Sequence, residues 1–524
     1  MRRRWPIVLA VLLTLGGISL VAARTAGVSK IEERLSALGY TWTHRKDAPL
    51  AAHWTGLTGP LGSAEQLSVM GTWPITVRIR QPIIDIKGWI DTGASERTGG
   101  TGSALPIEVM VEDMKVLWED RVLLEDLSGP LRPKPNLSGP NGTLQLEKTP
   151  DGGHAIVGTA ALPLDLPEIK GQAKVSVRVT DTIEGDVLVE DAVLHHSLIG
   201  ADPLPALPLR VQGSWNRSDH AIQLFGSLGN MAFSTTGTAQ FSPLSLDVEL
   251  RVPDTPLGDV VAVFGKTIPE AKTAKMSGHL AMRAEVAGPP WKVLLEPTVS
   301  GLNASGVLPE NFGRQTIQWK VRDADGHPTF RQTGPSHRNW THLNQMSWMP
   351  QTVVAAEDGG FPTHPGYDLG AIREALYQAQ SGERLRGGST LTQQLAKNLF
   401  LSGERTLTRK LRELLYALDL ERSLPKSAIL ALYLNVVEFG PGIYGIAEAS
   451  DAYFLKRPQG LTLAESAWLA SILPSPRTAH ARARKGRVSR SRVTTILQRM
   501  VARKELSTIK MQQADKAPLR FVLK

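Results

Sequence analysis

Residues 349–358 read Met-Pro-Gln-Thr-Val-Val-Ala-Ala-Glu-Asp, and the character of the chain changes on them. Pro350 suits the first turn of a helix, where its missing N–H is no loss. Val353 to Ala356 then bring two carboxylates, Glu357 and Asp358, to the end of a helix that otherwise buries itself. A carboxyl against an apolar wall loses hydration, which lifts its pKa toward the range of a proton acceptor near neutral pH. Downstream the helical period continues. Ser423-Leu424-Pro425 opens a segment whose apolar stripe is Ile429, Leu430, Tyr433 and Leu434, and Thr462 to Glu465 has the capping-box pattern. Upstream, from about residue 50 to 325, the apolar period is two. Ile75, Val77 and Ile79 alternate with polar residues, as do Val175, Val177 and Val179, and Leu246, Val248, Leu250 and Val252. Such alternation marks strands with one buried face.

The reading outward from this junction is a multidomain chain: an N-terminal transmembrane helix, an all-β middle region and a C-terminal all-α domain. Its boundaries fall at 1–26 for a membrane anchor, 27–210 for a β-rich domain and 211–330 for a second one or a continuation of the first. A helical catalytic region follows at 340–503 and a basic tail at 504–524. The anchor rests on Arg2, Arg3 and Arg4 preceding an uncharged run from Trp5 to Ala23. At ~1.5 Å per residue that run makes roughly 28 Å of helix, close to a hydrocarbon core of ~30 Å. Arginines ahead of the run place the N-terminus inside. A cleaved signal peptide ending near Val21-Ala22-Ala23 is the rival reading, and both export the remainder of the chain.

Composition narrows the chemistry. With 59 basic and 50 acidic residues the chain carries +9, which suits an anionic partner; outside the cytoplasm nucleic acid is not that partner. Zero cysteines exclude disulfides, a thiol nucleophile and thiolate metal sites. Residues 481–524 hold 13 Lys and Arg against Glu505 and Asp515, a charge balance suited to anionic headgroups or to a solvated helix end.

A second acid, Glu413, lies in Arg409-Lys410-Leu411-Arg412-Glu413, where the cations keep it ionised. Two carboxylates pushed in opposite directions is the pattern of divided acid–base labour, although a helix-end acid and an i,i+4 ion pair explain the same residues. Between them, Arg386-Gly387-Gly388-Ser389-Thr390-Leu391-Thr392-Gln393-Gln394 sets two glycines and hydroxyls before a helix start, offering N–H groups to an anion at the positive end of a dipole. It lacks the lysine and preceding strand of a nucleotide-binding loop. Lys397 and Arg405 follow at distances that allow them to neutralise a pyrophosphate.

These segments resemble the ordered motifs of peptidoglycan glycosyltransferases of family 51. Glu357-Asp358 with Phe361, His364 and Gly366 is similar to the first, and Arg386 to Gln394, continuing to Phe400, to the second. Arg409 to Glu413 is similar to the third, Ile429 to Asn435 with Gly440 to the fourth, and Ser491 to Leu497 more weakly to the fifth. The resemblance covers about residues 340–503 and implies a lysozyme-like helical fold that polymerises lipid II into β-1,4 glycan strands, releasing undecaprenyl pyrophosphate by an inverting mechanism. It implies Glu357 as the base and Glu413 as a second catalytic acid that orients cations or a divalent ion. Lys397, Arg405, Arg409, Lys410, Ser389, Gln393 and Gln394 are implied as donor and pyrophosphate contacts, with Asp358, Phe361, His364, Gly387, Gly388, Thr390 and Asn435 in support. No cofactor is certain; magnesium or manganese is the candidate ion. The partners implied are lipid II, the nascent glycan strand, the membrane and cell-wall synthesis proteins reached through the β-rich region.

Where many members carry an arginine after the first motif, this chain has Glu374. The reading places a single-pass protein in the inner membrane with its catalytic domain on the periplasmic side, Leu395 to Leu401 touching the bilayer, and too few residues after the motifs for a transpeptidase. The alternative is an inactive envelope scaffold or lipid-binding protein led by its β-rich region.

Overall fold

The structure is a computed structural model that describes residues 32–522, apart from 86–106, 373–387, 402–405 and a number of shorter stretches. Among the described residues, eighteen strands, β1 (His44–Ala48) to β18 (Lys292–Ser305), form one sheet in which chain neighbours pair antiparallel almost throughout. Pairing runs straight across residue 210, with β12 (Thr182–Leu194) held to β13 (Leu207–Asn216) from Thr182↔Asn216 to Ala192↔Leu207. The register aligns Val175, Val187, Val211, Gly226 and Phe233 in one row over five strands. Because side chains alternate faces, the rows one residue along carry the charges. There Arg178 pairs with Glu147, Arg210 with Asp186, and Arg283 with both Glu249 and Glu296.

Helix α1 (Leu257–Phe264) interrupts this sheet between β16 (Leu244–Pro256) and β17 (Lys275–Gly288). It buries Leu257, Val260, Val261, Val263 and Phe264, a set at helical spacing that the flanking alternation concealed. The helical part contains α2 (Met349–Glu357), α3 (Leu391–Phe400), α4 (Leu407–Ser423), α5 (Lys426–Val436), α6 (Gly445–Phe454), α7 (Leu463–Ile472), α8 (Pro476–Ala483), α9 (Ser491–Ala502) and α10 (Thr508–Lys516). Two hairpins accompany it: β19 (Ile317–Arg322) with β20 (Pro328–Thr333), and β21 (Glu438–Gly440) with β22 (Ile443–Tyr444). Ile317, Trp319 and Val321 of β19 pack into the same core as Val353, Leu395, Tyr433 and Trp468.

The expected fold class is therefore corrected on three counts. The middle region is not all-β, because α1 inserts there, and the C-terminal region is not all-α, because two hairpins belong to it. Nor is a transmembrane helix found: among the described residues no helix is long and apolar enough to cross a membrane. The reason shows in α4, which has 17 residues but carries Arg409, Lys410, Arg412, Glu413, Asp419, Glu421 and Arg422. Trp5 to Ala23 lies outside the described residues.

Helix α4 joins the two parts. Its Leu411, Leu415 and Leu418, at i, i+4 and i+7, bury against Leu257, Val261, Phe264 and Leu302 of the sheet part. Polar contacts fix the register of this seam. Thr408 N–H and Oγ1 both donate to the Ile199 carbonyl, at 3.0 and 2.6 Å. Buried Asp419 accepts the N–H groups of Val307 and Leu308, each at 2.9 Å. Arg412 donates to both carboxylate oxygens of Glu270, whose side chain is only 7% exposed.

Candidate active site

The end of α2 sets the first carboxylate. Val353 to Ala356 are buried, so Glu357 leaves the helix beside an apolar wall with 11% of its side chain exposed. Burial raises its pKa from the ordinary glutamate value, against a downward pull from Arg492, Gln394 and Lys397. Gln394 Nε2 donates to Glu357 Oε2 at 3.2 Å, and Arg492 Nη2 donates to Oε1 at 3.0 Å. The wholly buried Tyr433 hydroxyl donates to Gln394 Oε1 at 3.0 Å and so fixes which end of the amide faces the acid. Helix α9 serves α2 again through Arg499, which donates to the carbonyls of Ala355 and Ala356. These carbonyls would otherwise be unpaired at a helix end.

Asp358 does different work. It accepts the Leu391 N–H at 2.7 Å, at the positive end of α3, and His364 Nε2–H at 2.9 Å. His364 Nδ1 accepts from Gly366 N–H at 3.2 Å, which assigns the tautomer through the network. His364 also meets the buried Phe361 ring edge-on, and Lys426 Nζ stands 4.5 Å from that ring's centroid. Thr390 caps α3 in a reciprocal box with Gln393, whose amide oxygen accepts the Thr390 N–H at 3.1 Å. Gln393, expected at the donor, thus has its amide oxygen committed to the helix start. Thr390 Oγ1 donates to the Gly366 carbonyl at 2.7 Å. Asn435 likewise holds the chain, bonding both the N–H and the carbonyl of Thr341 at 2.9 Å.

Across from Glu357 stands the cationic cluster. Glu413 is buried, with one carboxylate oxygen on Arg409 and the other on Lys410 Nζ at 2.6 Å. Lys410 Nζ also donates to Ser389 Oγ at 2.7 Å, tying α4 to the loop before α3. Lys397 is open to solvent but hemmed in by protein; burial lowers its pKa first, Glu413 opposes this, and Arg409 and Lys410 add to the lowering. Its ammonium feels the charges of both Glu413 and Glu357. Both oxygens of Glu413 are engaged by cations, a donor set that does not fit a metal ligand.

The structure therefore brings together Glu357, Gln394, Lys397, Arg409, Lys410, Glu413 and Ser389, and sets Asp358, Phe361, His364, Thr390, Gln393 and Asn435 in the scaffold behind them. Gly388 stands just before Ser389 in the same loop. Gly387, Arg405 and Glu374 lie outside the described residues. Leu395, Ala396 and Leu399 are buried in the helical core, so the expected bilayer contact over Leu395 to Leu401 is corrected at these three positions, which form a core stripe of α3, while Phe400 and Leu401 are half-buried. Sequence reasoning passed over Arg492 and Tyr433, although both lie within segments that carried the motif resemblance.

A poorly hydrated carboxylate facing fixed cations is the equipment of a group-transfer enzyme with an anionic leaving group. The Transglycosylase family matches residues 325–501. The biosynthetic peptidoglycan transglycosylase of Cronobacter sakazakii is 39% identical over 228 residues, covering 42% of this chain and 88% of the relative. The protein of the same name from Escherichia coli is 41% identical over 202 residues, covering 38% of this chain and 82% of its own. Penicillin-binding protein 1A from Haemophilus influenzae covers 40% of this chain and 22% of its own at 20% identity, with a TM-score of 0.21 that carries no weight. The chain belongs to the biosynthetic peptidoglycan transglycosylases, as a glycosyltransferase of family 51. Its substrates are lipid II and the glycan strand, and it acts in the cell envelope.

Proposed function

We propose that Glu357 is the base of an inverting glycosyl transfer. In its ionised form it takes the proton from the 4-hydroxyl of the acceptor sugar while that oxygen attacks C1 of the donor strand. The new C–O bond forms as the bond from C1 to the phosphate oxygen breaks, and its electron pair leaves with the polyprenyl pyrophosphate. A single displacement inverts C1, which yields the β-1,4 linkage from an α-linked donor. Lys397, Arg409 and Lys410 receive the charge that develops on the leaving group, and because they are fixed before reaction they need little reorganisation. Glu413 is a positioning residue: it holds Arg409 and Lys410 in place. Gln394 and Arg492 orient Glu357. Magnesium or manganese, when bound, would supply charge neutralisation to the pyrophosphate, because both Glu413 oxygens are taken by Arg409 and Lys410. The reading also places the reaction on the periplasmic face of the inner membrane, where the lipid substrate is reached.

The observation that carries this reading is the largely buried Glu357, with its pKa raised by burial and its oxygens held by Gln394 and Arg492. Lipid II consumption by the purified full chain tests it, with Glu357→Gln as the paired variant. Glycan strands from the wild type and none from the variant are expected. Equal product from both would remove Glu357 from the role of base.

A further inference from the structure

A cavity of about 890 Å³ opens where the sheet part, hairpin β19–β20 and helices α3 and α4 meet. Among the described residues, six cations line it: Lys266 from the sheet part, Lys320 and Arg322 from β19, Lys397 from α3, and Arg409 and Arg412 from α4. Among the described residues, two carboxylates, Asp202 and Glu438, stand in the same lining. Glu438 is committed to Arg477 outside it, at 2.8 Å. Arg409 and Arg412 are answered by Glu413 and Glu270. Among the described residues, no carboxylate lies within ion-pair distance of Lys266, Lys320 or Lys397. Lys266 and Lys320 thus bring uncompensated charge to one concavity beside Lys397, which feels Glu413 and Glu357 from beyond ion-pair distance, and a concave site strengthens the field that attracts an anion.

The walls are built rather than incidental. Thr408 bonds the Ile199 carbonyl at the seam beside Gly200, and the Tyr444 hydroxyl donates to the Arg322 carbonyl at 2.9 Å and accepts from its N–H at 3.2 Å. Lys397 and Arg409 belong both to this lining and to the cluster facing Glu357, so the cavity is continuous with the reaction site. Lys266, Lys320 and Arg322 all precede residue 325, where the family match begins.

We propose that this cavity is a phosphoanion site in which Lys266 and Lys320, from outside the family's own segment, extend the cationic bank of the catalytic helices. The proposal rests on the glycosyl-transfer reading only in making a pyrophosphate the nearest source of that anion. A phospholipid headgroup is the other source of the same chemistry.

Binding is measured by titration calorimetry on the full-length chain carrying Glu357→Gln, which separates it from turnover. Inorganic pyrophosphate is one probe and phosphatidylglycerol vesicles the other. The double substitution Lys266→Ala/Lys320→Ala should weaken binding of at least one probe by about tenfold or more, since each lysine removes a charge-assisted contact. Lys266→Arg/Lys320→Arg should retain it. An effect on pyrophosphate assigns the site to the leaving group, and an effect on vesicles alone assigns it to a headgroup. Lys275→Ala/Lys292→Ala removes the same charge from exposed positions outside the cavity and should leave binding unchanged. Equal weakening by that control would mean diffuse attraction and would overturn the proposal, as would unaltered affinity for both probes in the cavity variant. Loss of glycan synthesis in Glu357→Gln bears on the base alone, so the two readings fail separately.

Discussion

The sheet and the helical part handle polar groups in opposite ways. On the sheet, charges pair in the open: Lys174 and Glu190 bond at 2.6 Å with roughly two thirds of each side chain exposed. In the helical part the polar residues go inside. Asp358, Thr390, Gln393, Glu413 and Asn435 are all buried, and each is satisfied by named partners. A buried polar group costs free energy unless fully bonded, so such a set persists where it fixes a geometry. Exposed pairs fix little, because solvent competes for them. The sheet behaves as a platform and the helical part as an instrument, and α4 belongs to both. Its leucines and Arg412 face the platform while Arg409, Lys410 and Glu413 face the reaction.

Substitutions can break this contrast. The largest effect should come from Glu357→Gln, a loss of about 10²–10⁴-fold in the turnover of lipid II, the contribution of a positioned base. The variant should stay folded. The same substitution carries a stability sign: the raised pKa means that the native state favours the protonated carboxyl, so Glu357 stabilises at low pH and that contribution is lost as pH rises through its folded-state pKa. At neutral pH Glu357→Gln should therefore unfold at a slightly higher temperature than wild type, in a thermal melt that also checks its fold.

At the seam, Glu270→Ala leaves Arg412 and the Tyr416 hydroxyl without their shared carboxylate. A loss of about 1–3 kcal/mol is expected, read from the denaturation midpoint. Because α4 carries the cations, glycan synthesis should weaken in parallel, and an unaltered rate with lowered stability would show that the platform does not position the site.

A smaller and more specific effect belongs to Arg492→Ala. Arg492 opposes the upward push of burial on Glu357, so its removal should carry that pKa higher. The acid limb of the pH–rate profile, expected above the ordinary glutamate range because burial raises the Glu357 pKa, should move to still higher pH. An unmoved limb would mean that another group governs it. The smallest effect is expected from Lys174→Ala on the sheet, under about 1 kcal/mol in the same denaturation assay. A larger loss there would erase the distinction between the two parts.

Much of the site was legible because its motifs are local. Glu357 and Asp358 at the close of an apolar helix, Arg409 and Lys410 one turn from Glu413, and the Thr390 and Gln393 pair at a helix start are all patterns within a few residues. One such pattern carries a second role: Thr390-Leu391-Thr392-Gln393 has the spacing of a reciprocal cap, and that cap takes the Gln393 amide oxygen. The helix Leu257–Phe264 was likewise written at i, i+3, i+4 and i+7 but hidden between alternating strands. Arg492 reaches Glu357 from 135 positions away and Arg412 reaches Glu270 from 142, and no local spacing announces either. The burial of Leu395 and Leu399 is equally invisible locally, since an apolar stripe fits a core and a membrane surface alike.

What the chain dictated alone is what short-range physics dictates: alternation for the sheet, helical periods for the catalytic part, and acids and cations placed by spacing along single helices. Only the tertiary structure decided which of those groups meet. It put Arg492 on Glu357 and the sheet part against α4, and it closed a cationic cavity from elements that precede and follow residue 325. Burial and long-range charge are properties of the assembled molecule, because desolvation depends on every atom that displaces water and not on sequence neighbours.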